Sequence, residues 1–242
     1  MSSSLRSTES ISKGLDITTK NPGLFIPALA PLIIHLLFVI LACVVFPARY
    51  RVPSLVPYPP YYTYSEVAVP NVWLLWGGYL VASIVGFITG CVIVDMASDV
   101  INGRQMNLNK SLNLVISRLG TLILAAIISA ICFITFILIP VALFIITIAI
   151  IEGTDAIQST KNAANFVIKN LGEVIIFIII VAVVSIIFGV VFTVIPVVGV
   201  YIGPIVMWIV NVIFTVASVY FYLSLRQPIP PPPPPPPPPP SI

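Results

Sequence analysis

The stretch Leu119–Ile151, LGTLILAAIISAICFITFILIPVALFIITIAII, holds 33 residues (119 to 151) with no charge and one proline, Pro140, just past its middle. An α-helix rises about 1.5 Å per residue, so a single helix of this length would extend roughly 50 Å against a hydrocarbon core of about 30 Å. Two crossings of about 16 residues each are slightly short, yet feasible with Pro140 at the turn. One crossing or two fixes the side of the membrane on which everything after Ile151 lies.

The rest of the chain has the same character. Of 242 residues, 59% are hydrophobic and 8% charged, with a mean hydropathy of +1.12. A soluble domain carries roughly 25% charged residues, so the bilayer must be the solvent. The net charge is +3, and the eleven Lys and Arg are spread along the chain, which predicts no nucleic-acid partner. Cys43, Cys91 and Cys132 lie inside apolar stretches and read as buried thiols, not as a disulfide framework. Residues 1–23 are polar and lack the short apolar core and cleavage site of a signal peptide. The first apolar segment is therefore expected to stay as an anchor.

Working outward, spans are expected at about 24–46, 72–94, 120–138, 141–151 with flanks, 174–195 and 200–223. Pro27 and Pro31 fall in the first turns of the first span, where missing amide hydrogens cost least. Residues 47–70, rich in tyrosine and proline, read as an external loop lying on the headgroups, since tyrosine favours the membrane boundary. Trp73 and Trp76 mark the start of the second span. Residues 226–242 form a cytoplasmic tail whose run Pro230–Pro240 predicts a polyproline II rod. Such rods dock in proline-reading domains, or the run is a neutral expansion.

Charge placement favours two crossings of 119–151. Six spans put Arg6, Lys13, Lys20, Arg104, Lys110, Arg118, Lys161, Lys169 and Arg226 inside, against Arg49 and Arg51 outside. With one crossing the split becomes nearly even, which the positive-inside bias disfavours. A repeat points the same way: KGLDITTKNPGLFI, KSLNLVISRLGTLI and KNAANFVIKNLGEVI share an amphipathic segment, a basic residue, then a glycine. Gly23, Gly120 and Gly172 suit left-handed helix ends, and the basic residues complement the helix dipole and can reach lipid phosphates. The expected fold is all-α: a polytopic membrane protein of six transmembrane helices as three hairpins, each preceded by an amphipathic interfacial helix. The surface faces predicted are Ile11, Leu15 and Thr18, then Leu108, Leu112, Val115 and Leu119, then Ile157, Ala164, Val167 and Leu171.

The passage LIPVALFIITIAIIEGTDAIQSTKNAANFVIKNLG resembles the signature of uncharacterised prokaryotic six-helix membrane domains, related to the membrane domain found fused to glycerophosphodiester phosphodiesterases. Pro140, Glu152, Gly153, Ala156 and Ser159 fit that pattern; Val141 stands where the family often has glycine. The resemblance covers roughly residues 80–195 and implies six helices and a membrane location. It carries over no catalysis, because the phosphodiesterase chemistry belongs to a separate soluble domain.

Few residues offer chemistry. His35, inside the first span, is a packed neutral histidine or a proton or ligand site. Asn211, central in the last span, makes an interhelical hydrogen bond or a substrate contact. Ala82, Gly86 and Gly90 form a small-residue face for helix packing. Lys20, Lys110, Arg118, Lys161 and Lys169 are the interfacial basic residues. Asp95/Asp99 and Glu152/Asp155 read as helix-start acids behind Ser98 and Thr154 caps, or as cation ligands. No protease, hydrolase or phosphate-loop motif is present, so no enzyme, catalytic residue, metal or cofactor is expected. The expected role is a scaffold, assembly factor or partner subunit in the cell membrane with both termini cytoplasmic, binding the bilayer and other membrane proteins or itself. Transport or channel activity, and membrane-lipid sensing, are the alternatives; a re-entrant 119–151 is the structural alternative.

Overall fold

The computed structural model describes residues 3–53, 64–135, 137–194 and 196–226 and is 87% helical. The helices are α1 (Ser3–Lys20), α2 (Ile26–Ile40), α3 (Val72–Ile101), α4 (Leu108–Ser117), α5 (Leu119–Ile134), α6 (Ile139–Glu152), α7 (Ala156–Lys169), α8 (Leu171–Val194) and α9 (Pro196–Arg226). Four stretches are long and apolar enough to cross a membrane: Pro22–Val45, Val72–Ile101, Leu171–Phe192 and Ile202–Arg226. The pairs α4 with α5 and α6 with α7 are each sharply bent, by 74° and 119°, and raise the number of candidate spans to six. Chain neighbours α2 and α3, α5 and α6, and α8 and α9 pack side by side, with α1 laid on α9. The tail Pro230–Pro240 and Tyr58, Tyr61 and Tyr62 lie outside the described residues.

The stretch 119–151 is divided between α5, which ends at Ile134, and α6, which begins at Ile139. Pro140 is therefore not at the tip. It sits in the first turn of α6, where its ring is preorganised and its missing donor would be an orphan anyway. The ends of the stretch meet: Arg118, directly before it, donates from Nη1 to Ala149 O at 2.9 Å and from Nη2 to Thr154 O at 2.7 Å. The chain thus leaves and returns to one level.

Three one-residue joints turn an amphipathic helix into an apolar one. At Asn21, Arg118 and Asn170 the backbone N–H closes the preceding helix on Ile17, Leu114 and Phe166 carbonyls at 3.0, 3.2 and 3.1 Å. The carbonyls of the same residues open the next helix, accepting from Leu24, Leu122 and Val174 N–H, three residues that are fully buried. Asn21 and Asn170 add a side-chain bond from Nδ2 to the same Ile17 and Phe166 carbonyls, each at 2.9 Å. Gly23, Gly120 and Gly172 each follow their joint by two residues, but not as left-handed caps. The positive-φ glycines among the described residues are Gly103 and Gly153, which end α3 and α6 where a Cβ would be strained. Gly120 and Gly172 lie inside first turns, and Gly23 inside a 3-10 turn.

The second span runs past Val94 to Ile101, carrying Asp95, Ser98 and Asp99 within α3. Thirty residues rise about 45 Å, longer than a hydrocarbon core of about 30 Å. Every residue from Cys91 to Asp99 is buried, because α4, α6 and α9 close around it. Ser98 is thus not a helix cap, and the cap of α7 is Asp155 itself, accepting from Gln158 N–H at 2.8 Å. The segment after α2 is not a plain loop: β1 (Ala48–Pro53) and β2 (Tyr64–Val69) pair antiparallel with Ala48 opposite Val69.

The apolar interior has two parts. Phe144, Phe166, Phe177, Phe221 and Tyr222 join α6, α7, α8 and α9, with Phe177 and Phe221 stacked at 4.7 Å and Phe166 edge-on to Tyr222 at 5.0 Å. Leu24, Val92, Met96, Val115, Leu122, Val212 and Val216 form the other. The amphipathic helices dock by faces only partly those expected: Thr18, Val115 and Val167 are buried, whereas Leu15, Leu112, Ile157 and Leu171 are exposed. On α1 the inner face is Ser7, Ser10, Gly14 and Thr18, and Leu15 is exposed. Small residues allow a close crossing: a Cβ on Gly14 would lie 2.7 Å from that of Ala217. On α7 the inner face is Ala156, Ser159, Ala163, Phe166 and Val167, while Ile157 and Ile168, and Leu171 at the start of α8, face outward.

Candidate functional site: a polar end and a mid-depth cavity

Two regions hold the polar side chains. The first is one end of the bundle. Asp95 Oδ2 accepts from Ser111 Oγ at 2.6 Å. Asp99, whose side chain is 1% exposed, pairs with Lys110 Nζ at 2.7 Å and Arg104 Nε at 2.8 Å. Glu152 accepts from Tyr222 Oη and Asn162 Nδ2, both at 2.5 Å, and pairs with Arg226 at 3.2 Å. Thr154 and Ser159 hydroxyls meet at 2.7 Å, and Ser7 Oγ reaches Glu173 O at 2.9 Å. Buried carboxylates need such partners, since an isolated one would neutralise instead. These bonds tie α3 to α4, α6 to α7 and α9, and α1 to α8.

The basic residues expected at the interface divide by partner. Lys110, half-exposed, pairs with Asp99, and Arg118 satisfies orphan carbonyls at the end of α6 as a cation suits a helix C-terminus. Lys20 pairs with Asp16 at 3.0 Å on the surface of α1. Lys161 and Lys169 are exposed, and no described residue forms an ion pair with them. Asp95/Asp99 and Glu152/Asp155 do not converge as ligands: among the described residues no group of three or more His, Cys, Asp or Glu is placed to hold a metal. The Glu152–Tyr222 pairing escaped sequence reasoning because 70 residues separate the partners, and Tyr222 reads as one more aromatic in a span.

The second region is a string of cavities along α3 and α9. A space of about 410 Å³ between α2, α3 and α9 is bordered by His35, Tyr79, Ser83, Met207, Trp208 and Asn211. A space of about 220 Å³ adjoins it at Trp208 and Asn211, next to Gly86 and Gly90. From there Gly86, Gly90, Asn211 and Thr215 also border a larger one, about 500 Å³, reaching Thr147, Phe177, Ser185 and Ser218. Outward, His35 and Tyr79 border a fourth, of about 440 Å³, that reaches Trp76. Asn211 touches three of the four and His35 two.

The packing face is unequal in use. Ala82 is buried, and Trp208 covers Gly86, where a Cβ would lie 2.8 Å from its ring. A Cβ on Gly90 would meet nothing within 4 Å, so Gly90 opens space. The closer approach is at Gly78, under Phe38, four residues before Ala82 and legible as an extension of the same register. His35 stands edge-on to Tyr79 with ring centroids 6.5 Å apart. Neither its imidazole nor the Asn211 amide has a hydrogen-bond partner among the described residues. The two intramembrane polar residues singled out separately in the sequence thus border one space. No family model matches the chain, and no curated protein or solved structure matches it either.

Proposed function

We propose that the chain is a six-crossing, non-enzymatic membrane protein serving as a scaffold or partner subunit, with the polar end as its working face. In this reading 119–151 is the middle of three hairpins, and α1, α4 and α7 lie along the cytoplasmic surface of the cell membrane. The observation that carries it is the Arg118 clamp, which holds both ends of 119–151 at one level. Support also comes from the three matching joints and from the bends of 74° and 119°, which turn α4 and α7 away from the spans beside them. The resemblance to six-helix membrane domains belongs to the same proposal. The exposed Leu112, Ile116, Ile157 and Ile168 would then rest at the boundary of acyl chains and headgroups, while Lys161 and Lys169 face phosphates or a partner. Buried carboxylates paired with half-exposed cations add little net stability; their consequence is a fixed shape, which a docking platform needs.

Two measurements test this. Side-specific labelling should modify Lys161→Cys from the cytoplasm and Arg49→Cys from the opposite side; external labelling at 161 overturns the six-crossing topology. Crosslinking through a photoreactive residue at 161 or 169 in the native membrane should give one stoichiometric protein adduct. Only lipid adducts would overturn the scaffold reading in favour of lipid sensing.

A further inference from the structure

We propose that the cavity bordered by His35 and Asn211 is a binding site for a membrane-soluble cyclic dicarbonyl compound of the quinone class. Depth is the first consideration. Asn211 lies nine residues into the segment Ile202–Arg226 and fifteen from its other end, so roughly 14 and 22 Å from the two limits at 1.5 Å per residue. His35 lies ten residues from one end of Pro22–Val45 and thirteen from the other. Both groups stand within the hydrocarbon, where an unsatisfied polar group costs several kcal/mol. The two sit on different helices, exposed or half-exposed and unpaired among the described residues, on the wall of one space of about 410 Å³, a volume within the range of small-molecule sites.

The occupant must supply what the walls lack. An acyl chain carries no hydrogen-bonding atom at this depth. A cation is excluded by charge, since no carboxylate borders any of the four cavities. The amide of Asn211 and neutral His35 each offer one donor and one acceptor side, so the complementary molecule presents two oxygens on a rigid frame, as carbonyls or, in its reduced form, as hydroxyls. Tyr79 and Trp208 add aromatic surfaces for a flat ring. An apolar tail has room in the adjoining space of about 500 Å³, which Gly90 leaves open. The cavity beside Trp76, in the first turns of α3, gives a route in from one membrane boundary. The inference is of binding alone and does not rest on the scaffold reading.

The test uses the whole chain in nanodiscs of quinone-free phosphatidylcholine. Trp73→Phe and Trp76→Phe leave Trp208 as the remaining one of three tryptophans, and quinones quench indole fluorescence. Decylbenzoquinone should quench Trp208 saturably, with Asn211→Leu and His35→Phe each raising the half-saturation concentration about five- to tenfold, the range of one lost hydrogen bond. Melting curves of both variants establish that they fold, and Ala82→Phe, which fills the cavity, should abolish saturation. Quenching that rises linearly, as partitioning into lipid does, overturns the proposal. So does saturation unchanged in Asn211→Leu and His35→Phe, or equal displacement by decanol, which would assign the site to single hydroxyl groups. Absence of saturable quenching together with fast-exchanging cavity water overturns it in favour of a hydrated pocket.

Discussion

Replacing Arg118 should loosen the bundle more than any other exposed or half-exposed cation. Its guanidinium donates two charge-assisted bonds, at 2.9 and 2.7 Å, to carbonyls of Ala149 and Thr154. Hydrogen bonds to charged groups contribute about 1.5–3 kcal/mol each. The pair shares one side chain, and Arg118 is only partly buried, so the sum must be discounted to about 2–4 kcal/mol. Arg118→Gln keeps a donor but is shorter and uncharged, so it cannot span both carbonyls. Arg118→Lys keeps the charge but lacks the planar fork, and should recover no more than about half of the loss. Reversible unfolding by graded detergent, read by helical circular dichroism, measures both against the parent chain. Lys161→Gln, on an exposed residue, should stay within about 0.5 kcal/mol. Arg118→Gln within that same margin of the parent, or Arg118→Lys equal to the parent, would refute the clamp.

The glycines should split by sign. Gly14→Ala puts a methyl group 2.7 Å from the Ala217 Cβ and should cost about 1–3 kcal/mol by overpacking; Gly172→Ala, facing open space within a helix, should stabilise by about 0.5–1 kcal/mol, both read by the same unfolding assay. Gly153→Ala forces a left-handed residue with φ 68° and should cost about 1–2 kcal/mol; an equal or higher midpoint would mean that α6 ends differently. A double-mutant cycle on Tyr222→Phe and Glu152→Gln should show coupling of about 1 kcal/mol or more across their 2.5 Å contact; additive effects would show that the pair does not tie α6 to α9.

The membrane class, the approximate positions of the apolar segments and the recurrence of basic residue and glycine were legible in the sequence. They depend on composition and on local order along the chain, which the bilayer reads directly. Local chemistry also marked the joints, since Asn21 and Asn170 carry the amide that caps the preceding helix. Periodicity misled where polar and small residues replaced greasy ones. Ser7, Ser10, Gly14 and Thr18 form the docked face of α1 although no hydropathy pattern marks them, because close approach between helices depends on size and not on apolarity.

Tertiary structure alone decided the rest. Asp95 and Asp99 could continue α3 only because Ser111, Lys110 and Arg104 are brought to them by a chain reversal at Gly103. His35 and Asn211 are 176 positions apart (211 minus 35), and only the packing of α2 and α3 against α9 sets them on one cavity. The same holds for 119–151. Its lack of charge made it a candidate for the membrane, whereas the meeting of its two ends was decided by the reach of Arg118 to the carbonyls of Ala149 and Thr154. Hydropathy along a chain records where each residue prefers to be; which residues meet depends on helix packing over long separations, and that is a property of the folded bundle.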